Sequence, residues 1–244
     1  MNFSFKKPIM WSSMPLFKKI AYYKDYLDER FAKYVDKIEA KKYVKKICGD
    51  EINIPKIVRI LDSYADFVEA DINCEHMVKA CHGSGWNINM DKTTTVDSVI
   101  KRLKIWNTVF NYANEKQYKY IKPRFFIEEK IDGNIGNADV YMIRCINGNP
   151  ISIRYKATLS KKTNTYNIEW EPLLPLEIDN VEKPVHLDKM LTLASKLSNI
   201  FEFVRIDFYY IDNKIYFSEF TFTPSAGHQL FSMELEMKLG SLWT

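Results

Sequence analysis

Two acidic residues near the C-terminus, Asp207 and Glu219, could together bind a metal ion. Apolar side chains alternate along residues 204–210 and again along 215–217, and Asp212-Asn213-Lys214 separates the two runs. This pattern predicts a β-hairpin with a tight turn. If the strands pair across that turn, the two carboxylates meet on one face and repel each other unless a cation lies between them. The ordinary alternative is an amphipathic hairpin whose acids face solvent.

Cationic residues that suit phosphate lie in two places. Arg205, close to the first acid, suits the negative charge that develops on a phosphoryl group. Lys79 ends an apolar run and precedes the turn Gly83-Ser84-Gly85, where a point charge and bare backbone N–H groups could hold a phosphate. His82 could touch the same phosphate or serve as a local hydrogen-bonding partner. The glycine spacing matches neither a Walker P-loop nor a dinucleotide-binding fingerprint.

A third segment runs from Pro123 to Gly133, where aromatic and β-branched residues stop at Glu128 and Glu129. Alone, such a strand is an ordinary exit to a surface loop. The order of the three segments is more informative. A lysine with a glycine turn comes first, a strand ending in Glu-Glu follows, and Arg-x-Asp with a second acid in a hairpin comes last.

This order resembles the ATP-grasp superfamily and is most similar to its TupA-like branch, whose members occur in bacterial gene clusters for cell-surface polysaccharide and teichuronopeptide. The resemblance extends from Pro15-Leu16 through Asp36-Lys37-Ile38 and residues 79–85 to residues 204–227, the most specific block. It implies an α+β ATP-grasp fold, in which two α+β lobes with antiparallel sheets clasp the nucleotide after a helical N-terminal segment.

The resemblance implies a set of nucleotide-binding residues. Lys79 would contact the phosphates of ATP, the turn 83–85 would cover them, and Glu128 with the backbone of 129–131 would lie at the adenine edge. Many TupA-like proteins have Asp-Tyr-Lys where this chain has Asp139-Val140-Tyr141, so no lysine role is assigned there. The implied set is Lys79, His82, Gly83, Ser84, Gly85, Glu128, Glu129, Lys130, Ile131 and Asp139.

By the same resemblance, Asp207 and Glu219 would hold Mg²⁺. Most ATP-grasp ligases have asparagine where this chain has Thr221, whose hydroxyl is a weaker oxygen ligand. Arg205 would face the transferring phosphoryl group, which makes Arg205 and Lys79 the catalytic candidates. These four polar residues (Lys79, Glu128, Asp207, Glu219) are expected to gather around one ATP.

Composition limits the class of protein. A chain of 244 residues with 46% hydrophobic residues can bury a full core, in one domain or two packed lobes. Its formal charge of +4 is too slight and dispersed to indicate nucleic acid as a partner. Four cysteines without C-x-x-C spacing favour reduced thiols in a cytoplasmic protein over a zinc or disulfide framework. No apolar run reaches 18 residues and no secretory leader is visible, so we expect no transmembrane segment.

Helical periodicity predicts amphipathic helices at 27–38, from about Lys41 to Gly49, and at 97–111 with Asp97 as a cap. The lysines between 41 and 46 are interpreted as a solvated helix face. A hairpin is predicted around Asn147-Gly148-Asn149. The predicted segments are a mainly helical N-terminal part at 1–70, a smaller ATP-grasp lobe at 71–131 and a larger lobe with the metal site at 132–244.

Three functions stay open. The resemblance favours an ATP-dependent ligase that phosphorylates a carboxylate and joins the acyl group to an amine, on a sugar-linked uronic acid of a polysaccharide precursor. The alternatives are a non-catalytic nucleotide-binding partner in glycan assembly, and a phosphotransferase that stops at a phosphate ester. Residues before Asp71 are too few for the N-terminal α/β domain of most ATP-grasp ligases, so a partner protein of polysaccharide biosynthesis could complete the acceptor pocket.

Overall fold

The structure is a computed structural model that describes residues 3–108, 110, 115–131 and 138–244. Asn111, Asp132 and Gly133, which enter the sequence predictions, lie outside these residues.

The α-helices are α1 (Leu16–Tyr23), α2 (Ala32–Val35), α3 (Lys37–Cys48), α4 (Val96–Trp106), α5 (Leu187–Ser198) and α6 (Met233–Ser241). Short 3-10 helices are Trp11–Ser13, Lys24–Tyr26, Glu29–Phe31, Tyr64–Asp66, Glu69–Asp71, Lys116–Tyr120 and Pro224–Gly227. The strands are β1 (Ile57–Leu61), β2 (His76–Ala80), β3 (Asn87–Asn89), β4 (Phe125–Glu129), β5 (Val140–Ile146), β6 (Asn149–Lys156), β7 (Thr163–Tyr166), β8 (Phe203–Ile211) and β9 (Lys214–Thr221).

The strands form two antiparallel sheets, with the orders β1-β4-β2-β3 and β7-β6-β5-β8-β9. Helices accompany both, so the predicted α+β class is confirmed. The chain divides into a larger unit, with the five-stranded sheet, and a smaller unit, with the four-stranded sheet. The larger unit comprises Met1–Leu27, Val44–Asn53 and Ala138–Thr244, and the smaller unit comprises Asp28–Tyr43 and Ile54–Asn137. The boundaries predicted at 70 and 131 stay a prediction.

One face of the smaller sheet is apolar and packs against α4. Strand side chains alternate between faces, so Lys79 on β2 and Glu128 on β4 lie on the opposite face. The alternation therefore separates the core of this unit from its charged residues. The core consists of Leu61, Phe67, Val78, Ala80, Met90, Val99, Leu103, Trp106, Phe125 and Ile127.

The continuous helix predicted for 27–38 is wrong, because the chain breaks at Asp36. This residue is extended, with ψ of 114°, and its carboxylate accepts hydrogen bonds from the N–H groups of Ile38 (2.9 Å) and Glu39 (3.1 Å). Such a side chain caps a new helix, so α3 begins at Lys37 rather than near residue 41. The predicted end is confirmed, since Gly49 follows with φ of +55°.

The predicted cap of α4 is also wrong. Thr95 has the extended backbone of a cap residue, and its hydroxyl accepts a hydrogen bond from the Ser98 N–H at 3.3 Å. Asp97 lies inside the first turn, where a carboxylate stabilises the helix through the dipole.

The two predicted hairpins of the larger unit are confirmed, and each has a two-residue turn. Asn147 and Gly148 connect β5 to β6, and Asp212 and Asn213 connect β8 to β9. All four have positive φ, between 48° and 79°, which is the requirement of a type I′ turn. Helix α5 packs against β5, β6 and β8 and covers one face of this sheet. None of the helices in the described part of the chain is long and apolar enough to cross a membrane.

The segment after β9 is tightly constrained. Ser225, Ala226 and Gly227 all have positive φ, and a Cβ on Gly227 would lie 2.8 Å from the backbone of Ala21 in α1. Both the backbone conformation and the close approach therefore require glycine at 227.

We expect Gly227→Ala to lower the free energy of unfolding by about 2–4 kcal/mol, because it adds left-handed strain and a clash with backbone. Gly49→Ala is the matched control, since Gly49 has φ of +55° but open space around its Cβ position, and we expect a loss of only about 1 kcal/mol there. Urea unfolding of both variants measures the difference. Equal losses would contradict the role of the close approach.

Candidate functional site

The β8–β9 register places Asp207 directly opposite Glu219, on the face of the sheet away from α5. Arg205 lies on the same face and donates from Nε to Asp207 Oδ1 (2.7 Å) and from Nη2 to Oδ2 (2.6 Å). Its Nη2 also donates to the Thr221 hydroxyl at 3.0 Å and lies 3.9 Å from the Glu219 carboxylate. The opposition of the two acids expected from the hairpin pattern is therefore observed, with a guanidinium between them.

Burial shifts the pKa of Asp207. The residue is buried, and burial raises the pKa of its carboxyl above the usual range. The negative charge of Glu219 adds to this rise, and the positive charge of Arg205 opposes it. A divalent cation would favour the ionised form of such a carboxyl. The hairpin thus holds a buried carboxyl whose anionic form depends on the cations beside it.

The available donors fit Mg²⁺. Asp207, Glu219 and Thr221 offer oxygen atoms only, and within the described ranges no group of three or more His, Cys, Asp or Glu residues gathers to cage a metal. Mg²⁺ is usually held by one or two carboxylates together with water and substrate phosphates. These three residues provide too few ligands to hold a metal by themselves. They are sufficient for a metal that is also bound by a phosphate ligand.

A second charged cluster belongs to the smaller unit and centres on Glu128, which is completely buried. The Lys79 ammonium lies 2.5 Å from its Oε1, and the Lys41 ammonium pairs with its Oε2. Lys41 also donates to the Pro55 carbonyl at 3.0 Å. One buried carboxylate therefore holds two ammonium groups in this cluster. Such a cluster suits an anionic ligand.

The interpretation of Lys41 as part of a solvated helix face is wrong, since only 7% of the residue is exposed. The position of Lys41 in the helix indicates that its side chain faces inward. Lys41 lies three residues after Ile38 and three before Val44, and both of these apolar residues are buried. It therefore shares the inward face of α3.

The pKa values in this cluster shift in the directions that the geometry requires. Burial lowers the pKa of Lys41 to about 8, and the Glu128 carboxylate offsets only part of that effect. For Glu128, burial alone would raise the pKa, but the charges of Lys79 and Lys41 outweigh it, so the pKa lies below the usual range.

The glycine turn after β2 is closed by backbone hydrogen bonds, from the Ala80 N–H to the Trp86 carbonyl (2.9 Å) and from the Asn87 N–H to the Gly85 carbonyl (3.1 Å). Gly83 is buried, and a Cβ there would lie 2.6 Å from the Trp86 ring. Ser84 and Gly85 are exposed.

Lys37, to which the sequence interpretation gave no role, donates from Nζ to the Gly83 carbonyl. A further ammonium therefore lies at the base of the glycine turn. The sequence indicates this position only through Asp36. The Asp36 side chain caps α3, and Lys37 is the first residue after the cap.

His82 lies beneath the glycine turn. Its ring is fully buried, packs against Trp86 and Phe125, and donates from Nε2 to the Trp106 carbonyl at 2.7 Å. Burial lowers its pKa, which favours the neutral ring. These contacts agree with the alternative of a local hydrogen-bonding partner, and the phosphate contact of His82 stays a prediction.

The remaining predicted nucleotide contacts have local partners. Glu129 forms an exposed ion pair with Lys56 at 2.7 Å, and its N–H donates to the Lys56 carbonyl. Lys130 donates from Nζ to the carbonyls of Cys74 (2.5 Å) and Met90 (2.9 Å). Ile131 is buried. Their predicted place at an adenine edge stays a prediction.

Asp139 belongs to the larger unit. Its carboxylate accepts hydrogen bonds from the Tyr155 hydroxyl (2.5 Å) and the Thr158 N–H (3.0 Å). These contacts fix the start of β5 against the end of β6.

Comparisons with known proteins agree with this architecture. A family model described as TupA-like ATPgrasp matches residues 19–244. The D-alanine-D-alanine ligase from Helicobacter pylori has a similar fold, with a TM-score of 0.52 and 16% identity over 86% of this chain and 61% of that chain. An L-amino acid ligase from Bacillus licheniformis gives a TM-score of 0.51 and 14% identity over 89% of this chain and 50% of that chain.

At such identities the likeness shows the fold alone, which is the ATP-grasp fold. This chain spans between half and two thirds of the length of these two enzymes. No curated protein matches it at a significant level.

We expect Glu128→Gln to lower the free energy of unfolding by about 3–5 kcal/mol, because it leaves two lysines without their shared buried counter-charge. Glu129→Gln is the matched control, and its exposed ion pair predicts a loss below about 1 kcal/mol. Urea unfolding followed by tryptophan fluorescence compares the two. Equal small losses would rule out a buried charge cluster around Glu128.

The lowered pKa of Lys41 leads us to expect that stability depends on pH. Its pKa is about 8 in the folded protein and 10.5 in the unfolded chain, so between these values the unfolded chain binds more protons. The free energy of unfolding should therefore rise by roughly 3 kcal/mol from pH 8 to 10.5 through this group. The difference between wild type and Lys41→Met, measured across that range, isolates this contribution. A difference that does not change with pH would contradict the assignment.

Proposed function

We propose that this chain, which belongs to the TupA-like ATP-grasp family, is an ATP-dependent ligase that joins a carboxylate to an amine. The observation that carries the proposal is the pairing of Asp207 with Glu219 around Arg205. Phosphoryl transfer from ATP depends on neutralised charge and on positioning rather than on a protein nucleophile, and these residues supply both.

In the proposed reaction, Asp207 and Glu219 would hold Mg²⁺, and the Thr221 hydroxyl would be an additional oxygen ligand. The metal would supply positive charge that offsets the charge of the ATP phosphates. Support comes from the oxygen-only donor set and from the register that places the two acids opposite each other.

Arg205 has a second role in the proposed reaction. Its guanidinium pairs with the Asp207 carboxylate through two short hydrogen bonds. From this position the guanidinium would also offer donors to the phosphoryl group in transfer, where a planar pair of donors is effective.

Lys79 binds the phosphates as a point charge, and Glu128 fixes the position of its ammonium. Lys37 adds a cation at the base of the glycine turn, whose exposed residues Ser84 and Gly85 present backbone N–H groups to the phosphates. Closure of this turn over the nucleotide would exclude water from the reactive intermediate.

The chemistry proceeds in two balanced steps. A carboxylate oxygen of the acceptor attacks the γ-phosphorus, the bond from that phosphorus to the β–γ bridging oxygen breaks, and ADP leaves. The amine then attacks the acyl carbon, its bond to the phosphate oxygen breaks, inorganic phosphate leaves and the amine nitrogen loses a proton. The result is an amide.

For the substrates, we propose a uronic acid of a surface-polysaccharide precursor as the carboxylate and an amino acid or related amine as the nucleophile. The proposal rests on the gene-cluster context that the family resemblance implies. The two structural neighbours are named as ligases of amino acids, which agrees with an amine of that class. Because ATP is the phosphoryl donor, we place the reaction in the cytoplasm.

We expect Mg²⁺-dependent release of ADP that requires both an acceptor from a panel of uronates and an amine from a panel of amino acids. Asp207→Asn and Glu219→Gln should each lower this rate by at least about 100-fold, because each removes a charge from the metal site. A coupled assay for ADP measures the rate, and product mass identifies an amide.

Glu182→Gln is the control, since Glu182 is an exposed acid of the same unit, and its rate should equal that of wild type. Nucleotide binding without acceptor-stimulated ADP release would instead indicate a non-catalytic binding protein. A product mass equal to the acceptor plus phosphate would indicate a phosphotransferase.

A further inference from the structure

The sheet face that carries Asp207 continues across β5 and β6 with two more arginines. Antiparallel pairing sets Arg144 opposite Arg205, and paired residues on neighbouring strands lie about 4.5–5.5 Å apart. On the other side Arg144 is opposite Ser152, and Arg154 lies two residues further along β6 on the same face. Three guanidinium groups therefore share one face of the larger sheet.

Arg144 is an unusual buried cation. Only 2% of the residue is exposed, and its Nη1 has no hydrogen-bond partner in the structure. The hydroxyl of Ser152, which is fully buried, also has no partner. Buried polar atoms in native proteins are nearly always hydrogen-bonded, so two adjacent orphans call for a ligand.

Nearby protein groups do not neutralise these cations directly. Across the residues that the structure describes, neither Arg144 nor Arg154 forms an ion pair. Both guanidinium carbons lie near the ring of Phe231, at 4.8 Å for Arg144 and 5.8 Å for Arg154. A cation over an aromatic ring gains some electrostatic energy, but the ring offers no hydrogen-bond acceptor to the orphan nitrogen.

One acid that acts on Arg144 is already engaged. Glu236 is buried, and its carboxylate accepts hydrogen bonds from the N–H groups of Phe17 (3.0 Å), Leu230 (3.1 Å) and Phe231 (3.1 Å). It fixes the loop that carries the ring and acts on Arg144 only through its charge. Burial, together with the neighbouring Arg205 and Arg154, lowers the pKa of Arg144 to about 9.

We propose that Arg144, Arg154 and Ser152 form a binding site for an oxyanion group of the acceptor substrate, separate from the carboxylate that is activated. This inference rests on the proposed function, because it assigns the cluster to the acceptor of that reaction. It narrows the acceptor to molecules with at least two anionic groups, the second being a carboxylate or a phosphate. Arginine is the residue best suited to either, since its planar donors match both oxyanions.

The test measures anion binding in the absence of nucleotide, with succinate, inorganic phosphate and acetate as probes at constant ionic strength. Isothermal titration calorimetry on the full chain gives the dissociation constants. We expect saturable binding of succinate, phosphate or both, and much weaker binding of acetate. Preference for succinate or for phosphate tells which oxyanion the site takes.

Arg144→Met and Arg154→Met should each weaken this binding at least 10-fold, and Ser152→Ala should weaken it less. Arg102→Met, which removes an exposed arginine of α4, is the matched control and should bind as wild type does. Should Arg144→Met fail to fold, the half-buried Arg154 carries the same test.

Thermal unfolding separates a ligand-binding arginine from a structural one. Removing an unpaired buried charge should leave the Tm of Arg144→Met unchanged or raise it by roughly 2–4 °C, whereas a structural arginine would lower it. A site built for binding therefore shows weaker anion binding together with undiminished stability.

The proposal is overturned if no probe binds saturably up to about 50 mM, or if both methionine variants bind as wild type does. ADP release measured in parallel reports on the ligase activity. Anion binding without ADP release would support the anion site and contradict the ligase function. ADP release without anion binding would support the ligase function and contradict the anion site.

Discussion

Electrostatic repulsion between Asp207 and Glu219 is the constraint on which the account of this protein depends. The hairpin turn at Asp212 and Asn213 fixes the pairing of residues 208–211 with residues 214–217. A bulge between Asp207 and Phe208 then shifts the register by one residue and places Asp207 opposite Glu219. A slip of one residue would turn one acid to the face covered by α5. The turn and the bulge together therefore determine whether a cation can be shared between the two acids.

Each unit contains cationic side chains in buried surroundings. In the smaller unit two lysines share the buried carboxylate of Glu128, and in the larger unit Arg144 lies buried beside Arg205. A buried guanidinium with an unsatisfied nitrogen, as in Arg144, reduces stability, and an apolar residue of similar volume would serve a core better. Under the proposed function, MgATP and an anionic acceptor bring negative charges that suit these cations.

The sequence predicted those features whose determinants are local. Alternating apolar residues and two-residue turns with Asn, Asp and Gly define the hairpins, and φ values at Asn147 and Asp212 agree with that chemistry. Apolar periodicity did not predict the helix boundary at Asp36. The boundary depends on a side-chain hydrogen bond to the backbone, which a pattern of apolar residues does not contain.

The rest of the site depends on tertiary contacts. His82 looks like a ligand contact in a glycine turn, yet the Trp106 carbonyl, supplied by α4, takes its N–H. Lys41 looks solvated until β4 brings Glu128 to it. Arg144 has no motif at all, and only the pairing of β5 with β8 places it beside Arg205.

A crystal structure with Mg²⁺ and a non-hydrolysable ATP analogue shows whether Asp207 and Glu219 hold the metal. We expect carboxylate oxygens of both residues at about 2.0–2.1 Å from Mg²⁺, and the Lys79 ammonium on the triphosphate that carries this metal. A nucleotide whose metal is held by neither acid would contradict this expectation.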